Sequence, residues 1–176
     1  PALMCDHSGT LYHFNGISAG PEYHYGNLAL IVRTSVDNGV TWSKARFVNS
    51  ERELPSQPVP CAFQSASGEI VHVSDAPDKC SVLWMSGDHG QTWRLTSGLI
   101  AGIHAGAVQL KDGRLMAFGR GNDIQGKMPQ SVSDDMGETW DYQPSMFPPI
   151  GGGQRPVLMR LNQGPLFFTS FCKKVP

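Results

Sequence analysis

Three short segments of this 176-residue sequence set charged or hydrogen-bonding side chains among glycines. They are Gly102-Ile103-His104-Ala105-Gly106, Gly119-Arg120-Gly121-Asn122-Asp123 and Gly151-Gly152-Gly153-Gln154-Arg155-Pro156. Flanking glycines let backbone approach a bound molecule closely. Arginine suits the grip on a carboxylate, because its planar fork meets both oxygens and stays charged at any working pH. Histidine gives or takes a proton near neutrality. Arg120 and Arg155 are therefore candidate anion-holding residues, and His104 is a polar contact or proton-transfer group. Gln154, Asn122 and Asp123 are candidate hydrogen-bonding contacts, and Asp75, in the turn Asp75-Ala76-Pro77-Asp78, is a candidate acid or ligand. The competing role for either arginine is structural: pairing with a neighbouring carboxylate, or capping a loop.

The elements that must position these residues are written in repeats. Ser35-Val36-Asp37-Asn38-Gly39-Val40-Thr41-Trp42 recurs as Ser86-Gly87-Asp88-His89-Gly90-Gln91-Thr92-Trp93 and as Ser133-Asp134-Asp135-Met136-Gly137-Glu138-Thr139-Trp140. The pattern S-x-D-x-G-x-T-W thus appears three times, 51 and then 47 residues apart. Each copy follows a strand-like run (Leu28 to Thr34, Ser81 to Met85, Met128 to Val132) and precedes a shorter one such as Lys44 to Val48, so the octapeptide reads as a hairpin turn. In that turn Asp accepts backbone N–H groups, Gly takes positive φ, Thr closes a local bond and Trp anchors the turn on its sheet. A side chain repeated once per unit is a structural device, which removes Asp37, Asp88 and Asp135 from the candidate chemistry.

Between the octapeptides lie tight strand pairs turning at Gly9, Gly68, Gly113 and Gly164, with Asp112-Gly113 reading as a two-residue hairpin loop. Each unit is then a four-stranded antiparallel meander. Four-stranded units repeating every 40 to 50 residues predict an all-β fold, a β-propeller whose ring leaves no exposed edges. At roughly 49 residues per unit the chain holds about 3.5 blades, approximately 1–50, 51–101, 102–147 and an incomplete 148–176, of a single propeller domain.

Composition agrees and excludes other classes. Apolar residues make up 40% and charged residues 16%, while 20 glycines and 13 prolines punctuate the chain, as short strands joined by turns require. With a formal net charge of −1 and no basic run beyond Lys173-Lys174, a nucleic-acid surface has no electrostatic basis. The longest apolar run, Leu28 to Val32, is far below the roughly 20 residues of a membrane-spanning helix, so no membrane insertion is expected. The sequence starts at Pro1 without a charged segment leading into an apolar run, and its compartment is not legible there. Cys5, Cys61, Cys80 and Cys172 lack zinc-ligand spacing and are expected as buried free thiols. No metal or other cofactor is expected. Nothing in the sequence sets an oligomeric state.

The three octapeptides resemble the Asp-box, or bacterial neuraminidase repeat, of the sialidase superfamily, and the resemblance covers the whole chain as repeat architecture. It implies a propeller that is usually six-bladed. It also implies a retaining exo-glycosidase that holds a sialic-acid-type carboxylate on three arginines, with a Glu-activated Tyr as nucleophile and an Asp as acid/base, exported or periplasmic and acting on glycoconjugates. Asp-boxes also occur in lyases and in non-catalytic propellers. A uronate lyase, with Arg neutralising the carboxylate and His104 removing the α-proton, and a glycan-binding propeller are the alternatives. The Arg-Ile-Pro motif of sialidases is absent, Arg155-Pro156 being a partial echo, and two candidate arginines are visible in place of three.

Aligning the units on their hairpin glycines predicts which candidates share the ligand-facing rim, opposite the octapeptide turns. Nine residues before the glycines stand Val59, His104 and Arg155; seven after them stand Gly16, Asp75, Arg120 and Phe171. Under the resemblance Arg120 and Arg155 become the acidic-sugar clamp, and Gln154, Asn122, Asp123 and Asp75 the sugar contacts. The loop Glu22-Tyr23-His24-Tyr25 holds the only adjacent Glu and Tyr, as a candidate aromatic platform or nucleophile, with loop packing as the competing role.

Overall fold

A computed structural model describes residues 1–18, 28–49 and 57–170. No helix occurs among them. The first sheet contains β1 (Ala2–Cys5), β2 (Leu11–Ser18), β3 (Leu28–Ser35) and β4 (Arg46–Phe47) in sequential antiparallel order. The second repeats that order with β5 (Gln57–Gln64), β6 (Ile70–Ala76), β7 (Cys80–Ser86) and β8 (Arg94–Leu95). β9 (Ile100–Ala101) adds a short pairing to the start of β7, an element absent from the repeat pattern. The third sheet contains β10 (Ile103–Gln109), β11 (Leu115–Arg120), β12 (Pro129–Ser133) and β13 (Asp141–Pro144), and β14 (Val157–Arg160) with β15 (Leu166–Thr169) forms the last pair. The expected all-β architecture of four-stranded antiparallel blades is therefore present.

The octapeptide turns carry the expected bonds and one more. Asp37 Oδ1 accepts the Thr41 N–H at 2.9 Å and Oδ2 accepts the Thr41 hydroxyl at 2.5 Å. These bonds, those from the Thr41 side chain foremost, hold the Asp37 carboxyl down to about 2. The repeat's Ser adds a bond that spacing does not reveal: its Oγ accepts the Gly N–H, at 2.9 Å in the first turn and 2.8 Å in the other two. Positive φ falls on the residue before the Gly as well, at Asn38, His89 and Met136. The tight hairpins differ from a two-residue loop. Gly113 donates to Leu110 O at 3.1 Å and takes φ +93°, so Lys111-Asp112-Gly113 is a three-residue loop, a turn closed by a left-handed glycine.

The core lies between neighbouring sheets. Tyr12, Phe14, Leu30 and Val32 of the first sheet pack with Ile70 and Trp84 of the second. Val71, Val73, Leu83 and Met85 of the second pack with Ala105, Ala107, Leu115 and Ala117 of the third, and Trp140 closes this layer. Trp140 fits because Gly98 lies against it: a Cβ there would meet the indole Cδ1 at 2.5 Å. Trp42 has no preceding described sheet to cover it and is 39% exposed. The four-before-glycine position ties sheets together. Gln64 accepts the His7 N–H and Gln109 accepts the Ala66 N–H, both at 2.7 Å, while each donates back to its own hairpin. Arg160 occupies the same position and donates to Gln109 O and Gly164 O. Cys61 is buried, but Cys5 is exposed, against the expectation of buried thiols; β1 alternates faces, and Met4 takes the inward one. Cys172 lies outside the described residues.

Candidate functional site

The innermost strands β1, β5, β10 and β14 start at one end of their sheets, opposite the octapeptide turns, and β2, β6 and β11 finish there. Along this end β10 is irregular between Ile103 and Gly106, and the irregularity carries His104. Its backbone has φ +54°, two residues after Gly102 at +92°, in the left-handed region uncommon for residues other than glycine. Gly102 and Gly119 cross so closely that a Cβ on Gly102 would sit 2.7 Å from the Arg120 backbone nitrogen, which requires glycine at this crossing.

His104 and Asp75 come together, but between sheets. Asp75, on β6, is 8% exposed, and His104, on β10, is 5% exposed. Asp75 Oδ1 accepts the His104 backbone N–H at 2.5 Å, and Oδ2 lies 2.6 Å from the imidazole Nδ1. No hydrogen bond from the ring runs along that short separation. Ser81, at the start of β7, completes the cluster. Its Oγ donates to Gly102 O at 2.9 Å, accepts the Ala105 N–H at 3.3 Å and stands 3.3 Å from Asp75 Oδ1. Asp75 is thus occupied by protein groups rather than presented to the surface. Sequence reading placed it on the rim but missed its partner in the next sheet and missed Ser81 altogether; a small polar residue opening the apolar run Ser81-Val82-Leu83-Trp84-Met85 was the available signal.

The two arginines differ. Arg120 donates from Nη1 to Gly151 O at 3.1 Å, with its Nε buried and unpartnered, so part of its fork pins the loop that leads to Arg155. Arg155 is partly buried and makes no hydrogen bond or ion pair among the described residues. Gln154 is 2% exposed, accepts the Gly151 N–H at 3.0 Å and leaves its Nε2 buried and unpartnered. Asn122 donates to Lys79 O at 3.0 Å, linking the rim turns of the second and third sheets. Asp123 is exposed beside it. Glu22, Tyr23, His24, Tyr25 and Phe171 lie outside the described residues.

A cavity of about 690 Å³ lies elsewhere. It follows the inner strands toward the hairpin end and is lined by Cys5, Phe63, Gln109, Leu110, Met159 and Arg160 among others, with none of the rim candidates.

The BNR repeat-like domain family matches residues 1–168, so this chain belongs to the BNR repeat-like family. Solved structures agree in fold. A protein of unknown function from Dyadobacter fermentans superposes with a TM-score of 0.74 at 18% identity, over 96% of this chain and 55% of its own. A Hadza microbial sialidase gives 0.73 at 19%, over 95% of this chain and 39% of its own. The Trypanosoma rangeli sialidase in complex with 2,3-difluorosialic acid, a covalent intermediate, gives 0.63 at 15%, over 90% and 31%. The chain therefore spans about half the length of these relatives or less. No curated protein sequence matches it.

Proposed function

We propose that this chain is part of a sialidase-like exo-glycosidase, a propeller that hydrolyses a terminal acidic sugar of sialic-acid type from glycoconjugates. Arg155 carries this reading. A partly buried guanidinium without a partner among the described residues, beside a glycine-rich loop, is a cation available to a carboxylate. Arg120 supports it from the adjoining loop with the part of its fork that Gly151 O does not use, and Asn122 and Asp123 offer hydrogen bonds at the same rim. The sialidases among the structural neighbours support the sugar class as an analogy of fold. The glycan is the partner expected, and a secreted or periplasmic setting accompanies that substrate.

The experiment is turnover of a fluorogenic sialoside by the full-length protein and by Arg155→Ala. Loss of a charge-assisted contact to the carboxylate is worth about 2 to 5 kcal/mol when the partner charge is left unpaired, which predicts at least a thirtyfold fall in kcat/KM. Unchanged turnover and unchanged glycan affinity would remove Arg155 from the site. A second reading, elimination on a uronate, is favoured by the buried His104–Asp75 pair, and growth of unsaturated-uronate absorbance on an acidic polysaccharide would select it. Binding without either reaction would make the rim a glycan-recognition surface.

A further inference from the structure

We infer that Gln154 is the positioning residue of Arg155, a buried latch on the glycine loop that directs the guanidinium to the rim; the inference rests on the reading that Arg155 holds the carboxylate of an acidic sugar. Three glycines, Gly151-Gly152-Gly153, stand directly before the pair Gln154-Arg155. Glycine loses more conformational freedom on ordering than any other residue, and Gly153 takes φ +81°. A cation carried at the end of such a run has no fixed direction unless the run itself is held. A bidentate grip needs that direction, because the guanidinium plane has to meet both carboxylate oxygens.

Among the described residues, both hydrogen bonds to the glycine run fall on Gly151. Gln154 Oε1 accepts its N–H at 3.0 Å, and Arg120 Nη1, at the end of β11, donates to its carbonyl at 3.1 Å. The first of these bonds fixes the Gln154 amide, since the reverse orientation would set its NH2 against the Gly151 N–H, donor against donor. The Gln154 Nε2 is enclosed and unpartnered among the described residues, so the described work of this buried polar side chain is the latch on Gly151. An enclosed donor without a partner is destabilising, and it persists here in the residue that ties the loop to Arg155. On the other side of Arg155 stands buried Pro156, and a residue before proline is restricted to extended backbone. Ile150 anchors the far end of the loop in the core with Phe118 and Leu158. Of the side chains from Ile150 to Pro156, Arg155 alone is not buried. Gln154 thus acts on the sugar through Arg155, without touching it.

A double-mutant cycle in the full-length protein tests this with 4-methylumbelliferyl sialoside. Gln154→Leu fills the buried place and removes the acceptor, and it is expected to lower kcat/KM at least tenfold, through KM more than through kcat. In the Arg155→Ala background the same substitution is expected to cost less than twofold, because the side chain it positions is gone. Equal losses in both backgrounds, or no loss in the wild-type background, overturn the inference while leaving the glycosidase reading intact. A wild-type protein inert toward the sialoside overturns the reading and the inference together. Should Gln154→Leu fail to fold, amide hydrogen exchange in the wild-type protein decides. A Gly151 N–H exchanging at least tenfold more slowly than those of Gly152 and Gly153 supports the latch, and equal exchange at the three overturns it.

Discussion

Burial of His72 ties the stability of this fold to pH. His72, on β6, is fully buried, stacks face to face on Phe14 with ring centroids 4.3 Å apart and an interplanar angle of 2°, and leaves both ring nitrogens without a hydrogen-bond partner. Burial pushes its pKa from the ordinary 6.5 down to about 3. The folded protein therefore keeps the ring neutral, while the unfolded chain protonates it below about 6.5. Between about pH 3 and 6.5 the unfolded state binds the extra proton, so the contribution is intact above pH 7 and is lost as pH falls through this window. One proton corresponds to about 1.4 kcal/mol per pH unit at full separation, which gives a loss of about 2 kcal/mol between pH 7 and pH 5. For a domain whose whole stability is about 5 to 15 kcal/mol that is a large share.

The matching variant is His72→Phe, which keeps a flat ring against Phe14 and removes both unpartnered nitrogens. Urea denaturation of the two proteins at pH 7, 6 and 5 should show the variant losing about 2 kcal/mol less than the wild type over that range. The His72 Hε1 resonance should not titrate above pH 4.5. Parallel pH profiles, or a resonance titrating near 6.5, would refute the claim that this ring is held neutral by its burial.

Further expectations follow from the packing and the rim. Gly98→Ala forces a Cβ into Trp140 and the Gly137 carbonyl, a backbone contact that cannot swing away, and should lower stability by about 1 to 3 kcal/mol in a chemical denaturation series. Iodoacetamide should label exposed Cys5 under native conditions and spare Cys61, whose thiol burial raises to about 11; equal labelling would contradict the burial pattern. Arg155→Ala should depress sialoside turnover, as set out above.

The inner half of each blade was legible because its contacts are local. A hairpin glycine pairs strands a few residues apart, and an octapeptide satisfies its own backbone through Ser, Asp and Thr, so spacing alone revealed the sheets and the order of their strands. Register along those sheets also brought His104, Arg120, Asp75 and Arg155 to one end of the molecule. The loop lengths were less legible: Asp112-Gly113 carries a two-residue signal, but the left-handed turn requires a third residue, because the glycine follows the turn where a two-residue loop would hold it inside.

What the sequence by itself determined is the repeat, the blade and the rim on which polar residues gather. What the tertiary structure decided is which of those residues touch. Asp75 meets His104 across 29 residues, Arg120 meets the Gly151 carbonyl across 31, and Gln109 reaches Ala66 across 43. Each of these contacts joins one sheet to the next. Strand periodicity specifies a face and a level but not the angle at which two twisted sheets pack, and that angle sets which side chain on one sheet stands opposite which on its neighbour. Among the described residues the same packing left Arg155 without a partner and gave Asp75 two, His104 and Ser81.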